Sequence, residues 1–291
     1  MMNTNRYFSF SRFGQLLKHD LVELWKSYFR ALCLMFLTSL IVYYMAMGTY
    51  NILRIKEIAD VERYVDFHFT VFAFLYVFYV LIKASQFMEP LYTKEARIRY
   101  LMLPATSLEK FISRVLGVTV VPTVIFVVAV LLADVVHFAI YPFFPNLSEG
   151  FKIWIVPELW EKLLTTSVLS EYVGYVGLLP SIELAHASLG MYILLIASCI
   201  HSIFILAGNL FGKYGMSVIV LILVLTSRFG VPFYDTSKIL ADWGLTVIYE
   251  NGEGLAIYMM NVVCLCLNVF IWWLNYKIFS RKQVVQPKFS L

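Results

Sequence analysis

The sequence has 291 residues, of which 60% are apolar and 14% charged, and its mean hydropathy is +0.77. Soluble domains carry about 25% charged residues, so this composition excludes an ordinary soluble protein. The net charge of +4 is modest and gives no support for nucleic-acid binding. Apolar runs reach the roughly 20 residues that a spanning helix needs, and the alternating pattern of membrane β-strands is missing. We therefore expect an all-α membrane protein.

The N-terminal segment, residues 1–30, interleaves apolar and basic side chains. Leu17, Leu21 and Trp25 recur at helical spacing, with the basic residues elsewhere around the helix. This pattern is typical of a helix that lies in the membrane interface. The alternative is an ordinary cytoplasmic segment whose basic residues only fix the orientation of the chain.

Six apolar runs follow, each long enough to cross a hydrocarbon core of about 30 Å at about 1.5 Å per residue. No repeat or linker divides the chain, so a single membrane domain over residues 1–291 is expected. No cleavable signal peptide is expected either, because the first 30 residues are charged and precede the first apolar run. The runs lie near residues 31–50, 67–88, 115–140, 187–210, 215–233 and 255–276.

Lysine and arginine are unequally distributed between the segments that join these spans. The segments on the side of both termini contain fifteen of them, against seven on the other side. Basic residues accumulate on the cytoplasmic side of membrane proteins. The sequence therefore places both termini, and the loop 89–114, in the cytoplasm.

The segment 141–186 falls on the outer side and is long and acidic. Within it, Pro157 and the residues after it predict a short helix with proline just before or at its start. An external cap or gate is one interpretation, and a solvated connector is the other. Residues 234–254 have too few apolar residues for a crossing and are interpreted as a re-entrant or interfacial hairpin.

Ionisable and polar side chains within spans are costly and often mark transport paths. Asp134 and His137 are three residues apart on one helix face and could pair near the outer leaflet. His201 and Asn209 are eight residues apart on a similar face and are expected to line a seam between helices. For the first pair, a proton relay and a hydrated structural contact both stay open; for the second, a substrate-facing role is the functional alternative.

The sequence carries none of the common catalytic signatures. The sequence has no HExxH pair, no GxSxG elbow and no cysteines at metal-binding spacing, and its four cysteines lie in apolar runs that favour neither disulfides nor a thiolate site. It also lacks the GxxxxGK[ST] loop that cradles phosphates. We therefore expect no catalytic residue, metal or cofactor in this chain, and any ATP-driven work would need a second polypeptide.

The cytoplasmic loop between the second and third spans carries the most specific local signals. Thr106 followed three residues later by Glu109 makes a capping box, which predicts a helix from Ser107 into the third span. Pro104 disfavours helix at the residue before it, so 96–102 should form a separate short helix.

The tip of this loop is apolar, with Leu101, Met102 and Leu103 framed by charges. Exposed apolar residues in such a frame favour a partner surface. The alternative is a simple turn whose apolar residues contact lipid.

The run 93–114 resembles the first cytoplasmic loop of type 2 ATP-binding cassette (ABC) exporter permeases. It is most similar to small permease-like proteins of Bacteroidetes, in which a segment of the form L-P-A-S-x-L-E-K-F-x-S-R is typical. Thr106 replaces the usual serine with the same capping chemistry. The matching residues are Leu103, Pro104, Ala105, Leu108, Glu109, Lys110, Phe111, Ser113 and Arg114.

The resemblance implies that this loop contains a coupling helix that docks into a groove of a separate ATPase subunit. It further implies a bacterial inner-membrane exporter permease that pairs with a second copy or a similar permease, with ATP bound by the partner. The outer segment 141–186 is longer than the family's usual link. The implied docking residues are Arg97, Leu101, Leu103, Pro104, Thr106, Leu108, Glu109 and Lys110.

The sequence is also compatible with two other functions. An ATPase-independent membrane scaffold or assembly factor would use the same loop to hold a peripheral partner. A proton-coupled carrier would instead depend on Asp134, His137 and His201.

Overall fold

A computed structural model describes residues 8–52, 58–140, 154–164, 182–229 and 255–284. These residues are helical almost throughout and contain no strand, which confirms the all-α prediction. Short 3-10 helices at Glu89–Leu91 and Gly212–Tyr214 stand before α4 and α8. The α-helices are α1 (Phe10–Glu23), α2 (Trp25–Ile52), α3 (Ile58–Ser85), α4 (Lys94–Met102), α5 (Ser107–Ile140), α6 (Ile155–Leu164), α7 (Ile182–Phe211), α8 (Gly215–Phe229) and α9 (Leu255–Val284).

Five helical stretches among the described residues are long and apolar enough to cross a membrane. A multi-pass membrane protein built from helices follows. Six crossings and the cytoplasmic placement of both termini stay predictions. The stretches are Trp25–Ala46, Arg63–Ser85, Ser107–Ile140, Leu194–Ile222 and Asn261–Lys282.

The stretch Leu194–Ile222 contains a reversal of the chain. Gly212 follows the end of α7 with a φ of 57°, the left-handed conformation that commonly ends helices at glycine. A Cβ on Gly215 would lie 2.9 Å from the backbone nitrogen of Gly208, whereas residues seven apart in one straight helix are about 10 Å apart. The predicted fourth and fifth spans are therefore two helices, α7 and α8. The described part of α8 is about 22 Å long, which is shorter than a full crossing.

Gly208 lies where a side chain cannot be placed. A Cβ there would stand 2.4 Å from the backbone oxygen of Ser85. We expect Gly208→Ala to destabilise the protein by at least about 1 kcal/mol, because one of two backbones must shift. Thermal unfolding of the purified protein in detergent measures this. Gly14→Ala is the matched control, since no atom of the described residues lies within 4 Å of its added methyl group, and an equal melting temperature for both variants would contradict the close approach.

The N-terminal segment forms the predicted helix as α1, and only Leu24 separates it from α2. Helix α2 begins at Trp25, six residues before the expected start of the first span. The short outer helix predicted around Pro157 is α6, which begins two residues before the proline. Residues 141–153, 165–181, 230–254 and 285–291 lie outside the described part, and with them the predicted outer hairpin.

The chain divides into two compact units. One comprises Met1–Leu16, Leu81–Val115 and Tyr172–Leu291, and contains the 89–114 loop with α7, α8 and α9. The other comprises Leu17–Val80 and Leu116–Glu171. Its core packs the inner faces of α2, α3, α5 and α6 around buried side chains such as Tyr43, Phe72 and Ile155.

The candidate docking loop and the intramembrane polar residues

The predicted capping box is present at the start of α5. The Glu109 carboxylate accepts the Thr106 backbone N–H at 2.7 Å, and the Thr106 hydroxyl accepts the Glu109 N–H at 3.2 Å. These reciprocal bonds satisfy two N–H groups at the helix start, and α5 begins at Ser107 as the sequence predicted.

The separate short helix is present as α4, and it begins two residues earlier than expected. Thr93 explains the earlier start, because its hydroxyl accepts the Ala96 N–H at 3.2 Å and so caps the helix. Leu103 is extended, with ψ of 130°, and ends α4 before Pro104. The predicted order of helix, break and capped helix is confirmed.

Tyr100 joins the two helices of the loop. Its side chain is buried, and its hydroxyl donates to the backbone oxygen of Lys110 at 3.2 Å. The Lys110 ammonium returns to the Leu101 carbonyl at 3.3 Å, where it satisfies one of the last carbonyls of α4. The Arg114 guanidinium stacks over the Tyr100 ring at 4.7 Å. The angle between α4 and α5 is therefore held by side chains on both helices.

Glu109 also binds the start of α1. Its Oε1 atom accepts the backbone N–H of Ser9 at 2.7 Å and an N–H of Arg12 at 3.1 Å. Negative charge is favourable at helix N-termini, and this carboxylate serves two of them, those of α1 and α5. The N-terminal helix and the loop are thereby joined by a fully buried carboxylate.

The eight implied docking residues divide by their exposure. Glu109 and Lys110 are buried, and they bind other parts of the loop. Arg97 is half-buried and donates to the Leu91 carbonyl at 3.3 and 3.4 Å. Leu103 and Thr106 are also half-buried, whereas Leu101, Pro104 and Leu108 are exposed.

Two residues outside that set extend the exposed apolar surface. Met102 is 79% exposed, and Ile98, one helical turn before it, is also exposed. The spacing of four residues on a helix was visible in the sequence, although Ile98 was not singled out. We name Ile98, Leu101, Met102, Pro104 and Leu108 the loop tip.

Tyr92, near the start of the loop, lies against the turn that follows α7. Partial burial, and secondarily the nearby Glu89 carboxylate, raises the pKa of the Tyr92 phenol to about 12. The phenol therefore stays neutral at physiological pH. A Cβ on Gly212 would lie 3.6 Å from its ring, which places the α7 turn beside the loop.

The four intramembrane polar candidates fall into different units. Asp134 and His137 belong to one unit, and His201 and Asn209 to the other, so they are described separately. Asp134 is buried and accepts the backbone N–H groups of Ile155 and Val156 at 3.3 and 3.1 Å. It caps the short helix α6.

His137 is also buried, and its ring stacks on that of Tyr43 at 4.9 Å. Neither ring nitrogen has a hydrogen-bond partner among the described residues. Asp134 accepts backbone N–H groups of α6 and also interacts electrostatically with His137, as predicted. The bonds to α6 are the kind of contact that the structural alternative requires.

We expect Asp134→Asn to loosen the docking of α6. An amide loses the negative charge that favours the helix N-terminus and can accept with only one oxygen, at a cost of about 1 kcal/mol. Trp154 stands at the start of α6, and its ring lies 4.8 Å from that of Phe138. The fluorescence of Trp154 is obtained by subtracting the signal of the same protein with Trp154→Phe. Its quenching by acrylamide should increase in Asp134→Asn. Glu158→Gln, at an exposed site in α6, is the control and should leave quenching unchanged.

Asn209 lies in a seam between α7 and α9, as the sequence predicted. Its side-chain N–H group donates to the Asn275 side-chain oxygen at 2.9 Å, and both residues are fully buried. His201 is half-buried, with its ring 6.4 Å from that of Trp272. Asn268 and Asn275 were not singled out from the sequence, although their spacing of seven residues was visible there.

The cysteines are free thiols. Cys199 lies in the same seam, with its sulfur 3.9 Å from the Cys264 backbone oxygen.

No protein-family model matches the chain, and no curated protein or solved structure shows significant similarity to it. The class that fold and composition define is a multi-pass helical membrane protein. Membership of the ABC permeases stays a prediction from the 93–114 run.

Proposed function

We propose that this chain is the transmembrane subunit of an ABC exporter of a bacterial inner membrane. A separate ATPase subunit would bind and hydrolyse ATP, and the 89–114 loop would dock on it. Both termini are cytoplasmic in this proposal, the chain crosses the membrane six times, and two copies, or one copy and a similar permease, enclose the substrate path.

The observation that carries the proposal is the contrast between the loop tip and the frame that holds it. The tip exposes a group of apolar side chains, among them Met102 at 79%. The frame directs its polar groups inward, since Glu109, Lys110 and Tyr100 are bound within the loop and to α1. A preorganised apolar surface of this kind reduces the entropy cost of binding a protein groove.

The base of the loop gives a route for movement into the membrane. Phe111, at the start of α5, packs on Phe87 with ring centroids 5.8 Å apart. Both rings contact that of Phe279 near the end of α9, at 5.6 and 5.7 Å. Trp272 and Tyr276 of α9 also contact Phe111. Displacement of the loop by an ATPase would therefore act on α9 as well as on α5.

Affinity purification of the tagged chain from its native membranes tests the proposal. We expect a P-loop ATPase to co-purify, and ATP hydrolysis by the complex to exceed that of the isolated ATPase. Recovery of a partner without a nucleotide-binding motif would favour the scaffold instead. Absence of any ATPase under mild detergent conditions would contradict the exporter.

A further inference from the structure

Three of the hydrogen bonds between helices α7 and α9 repeat at a regular interval of seven residues. Each runs from a side chain of α9 to a backbone carbonyl of α7, and each joins residues 73 apart in sequence. Two of the bonds measure 2.8 and 2.9 Å. We call this set the polar ladder: Asn268 to Leu195, Asn275 to Ser202, and Lys282 to Asn209.

The constant separation means that α7 and α9 run parallel. The donors are spaced by seven residues, as are the acceptors, so one side of each helix faces the other over the length that these bonds span, as in a coiled coil. Asn268 and Asn275 are buried, and polar residues at buried positions of helix pairs are known to fix register. The ladder ends at a carbonyl in the last turn of α7, where a cation is favoured.

A shift of one helix along the other would break all three hydrogen bonds of the polar ladder together. Each of these bonds is called a rung below. Because the donors and acceptors repeat every seven residues, the nearest other register that restores such bonds needs a shift of seven residues, or about 10 Å along the helix axis. Intermediate shifts leave the buried amide N–H groups without these acceptors, which is costly in an apolar environment. The seam is therefore expected to hold a single register.

We propose that α7 and α9 form one rigid parallel pair, with its register fixed by the polar ladder, and that this pair moves as a unit when the 89–114 loop moves. The fixed register is a property of this chain and does not depend on the proposed function. The movement rests on the proposed function, and it enters through the contacts of Phe87 and Phe111 with Phe279 at the base of the loop.

A native cysteine pair reports on the register. The sulfur of Cys199 on α7 lies 3.9 Å from the backbone oxygen of Cys264 on α9, while Cys33 and Cys266 are exposed and can be replaced by serine. The full chain in lipid nanodiscs is oxidised with copper phenanthroline, and the linked peptides are quantified by mass spectrometry. We expect efficient linkage of Cys199 to Cys264 in the isolated chain.

Removing rungs should lower that linkage. In Asn268→Leu/Asn275→Leu the yield should fall by about half or more, because the seam loses three interhelical hydrogen bonds, including the one that Asn275 accepts from Asn209. Lys282→Met, which removes only the terminal rung, should cause a smaller fall and covers the case in which the double variant does not fold. Thr38→Val is the control, since its hydroxyl bonds within its own helix and its loss should change nothing.

Two results would overturn the proposal. One is an unchanged yield in both ladder variants, which would mean that the ladder does not set the register. The other is a wild-type yield that changes when the co-purified ATPase is loaded with nucleotide, which would mean that the helices slide. If no ATPase binds, the proposed function fails, but the linkage in the isolated chain still decides the register.

Discussion

Met102→Asp is expected to abolish retention of the ATPase by the tagged chain. The side chain is 79% exposed at the end of α4, and no hydrogen bond of the loop's frame involves it. The variant loop should therefore keep its fold. Burying an unpaired carboxylate in a protein interface costs about 3 kcal/mol or more, which corresponds to a loss of affinity of about 100-fold. Quantitative pull-down against purified ATPase measures it.

Met102→Leu is the matched control, because it keeps an apolar side chain of similar volume at the same position. We expect it to bind within a few-fold of wild type. If Met102→Asp and Met102→Leu retain the ATPase equally, the loop tip is not the docking surface. An exporter would then have to bind its ATPase through another surface of this chain.

Glu109→Ala is expected to detach the N-terminal helix from the loop. The substitution removes the acceptor for Ser9, Arg12 and Thr106 at one buried position. Charged hydrogen bonds lost in this way should cost about 2–4 kcal/mol of local stability. Hydrogen exchange of the purified protein should rise in the peptides that cover residues 9–12 and 104–110.

Glu95→Gln provides the comparison, because it removes a carboxylate from an exposed position in the same loop. Its exchange should match wild type. Protection of residues 9–12 that survives Glu109→Ala would show that α1 is held by other contacts. ATPase binding by Glu109→Ala should weaken indirectly, since the residue itself is buried.

The loop was predictable because its signals are local. The capping box and Pro104 act within four residues of themselves, so they fix the start of α5 and the end of α4 wherever the rest of the chain lies. The all-α fold class could also be predicted, because the composition and the length of the apolar runs indicate membrane-spanning helices. Thr93 was missed as a cap, which is why α4 begins earlier than predicted.

The contacts between distant segments could not be predicted in this way. Glu109 and Arg12 are 97 residues apart, and no periodicity links them. Asp134 and His137 interact electrostatically, as their spacing predicted, but Asp134 also accepts hydrogen bonds from the start of α6, more than twenty residues later, and no sequence pattern indicated that contact. The exposure of each loop residue could not be predicted either. A carboxylate that caps a helix and one that docks on a partner look the same in sequence, and Glu109 proved to be buried.

The bond between Ser9 and Glu109 uses a main-chain donor. Any residue except proline supplies the same N–H group, so position 9 is free to vary while Arg12 and Glu109 must change together to keep their ion pair. In related sequences this junction would then appear as a covarying pair beside a variable position. A proline at position 9 would be the one single substitution there that weakens the junction while leaving both charges in place.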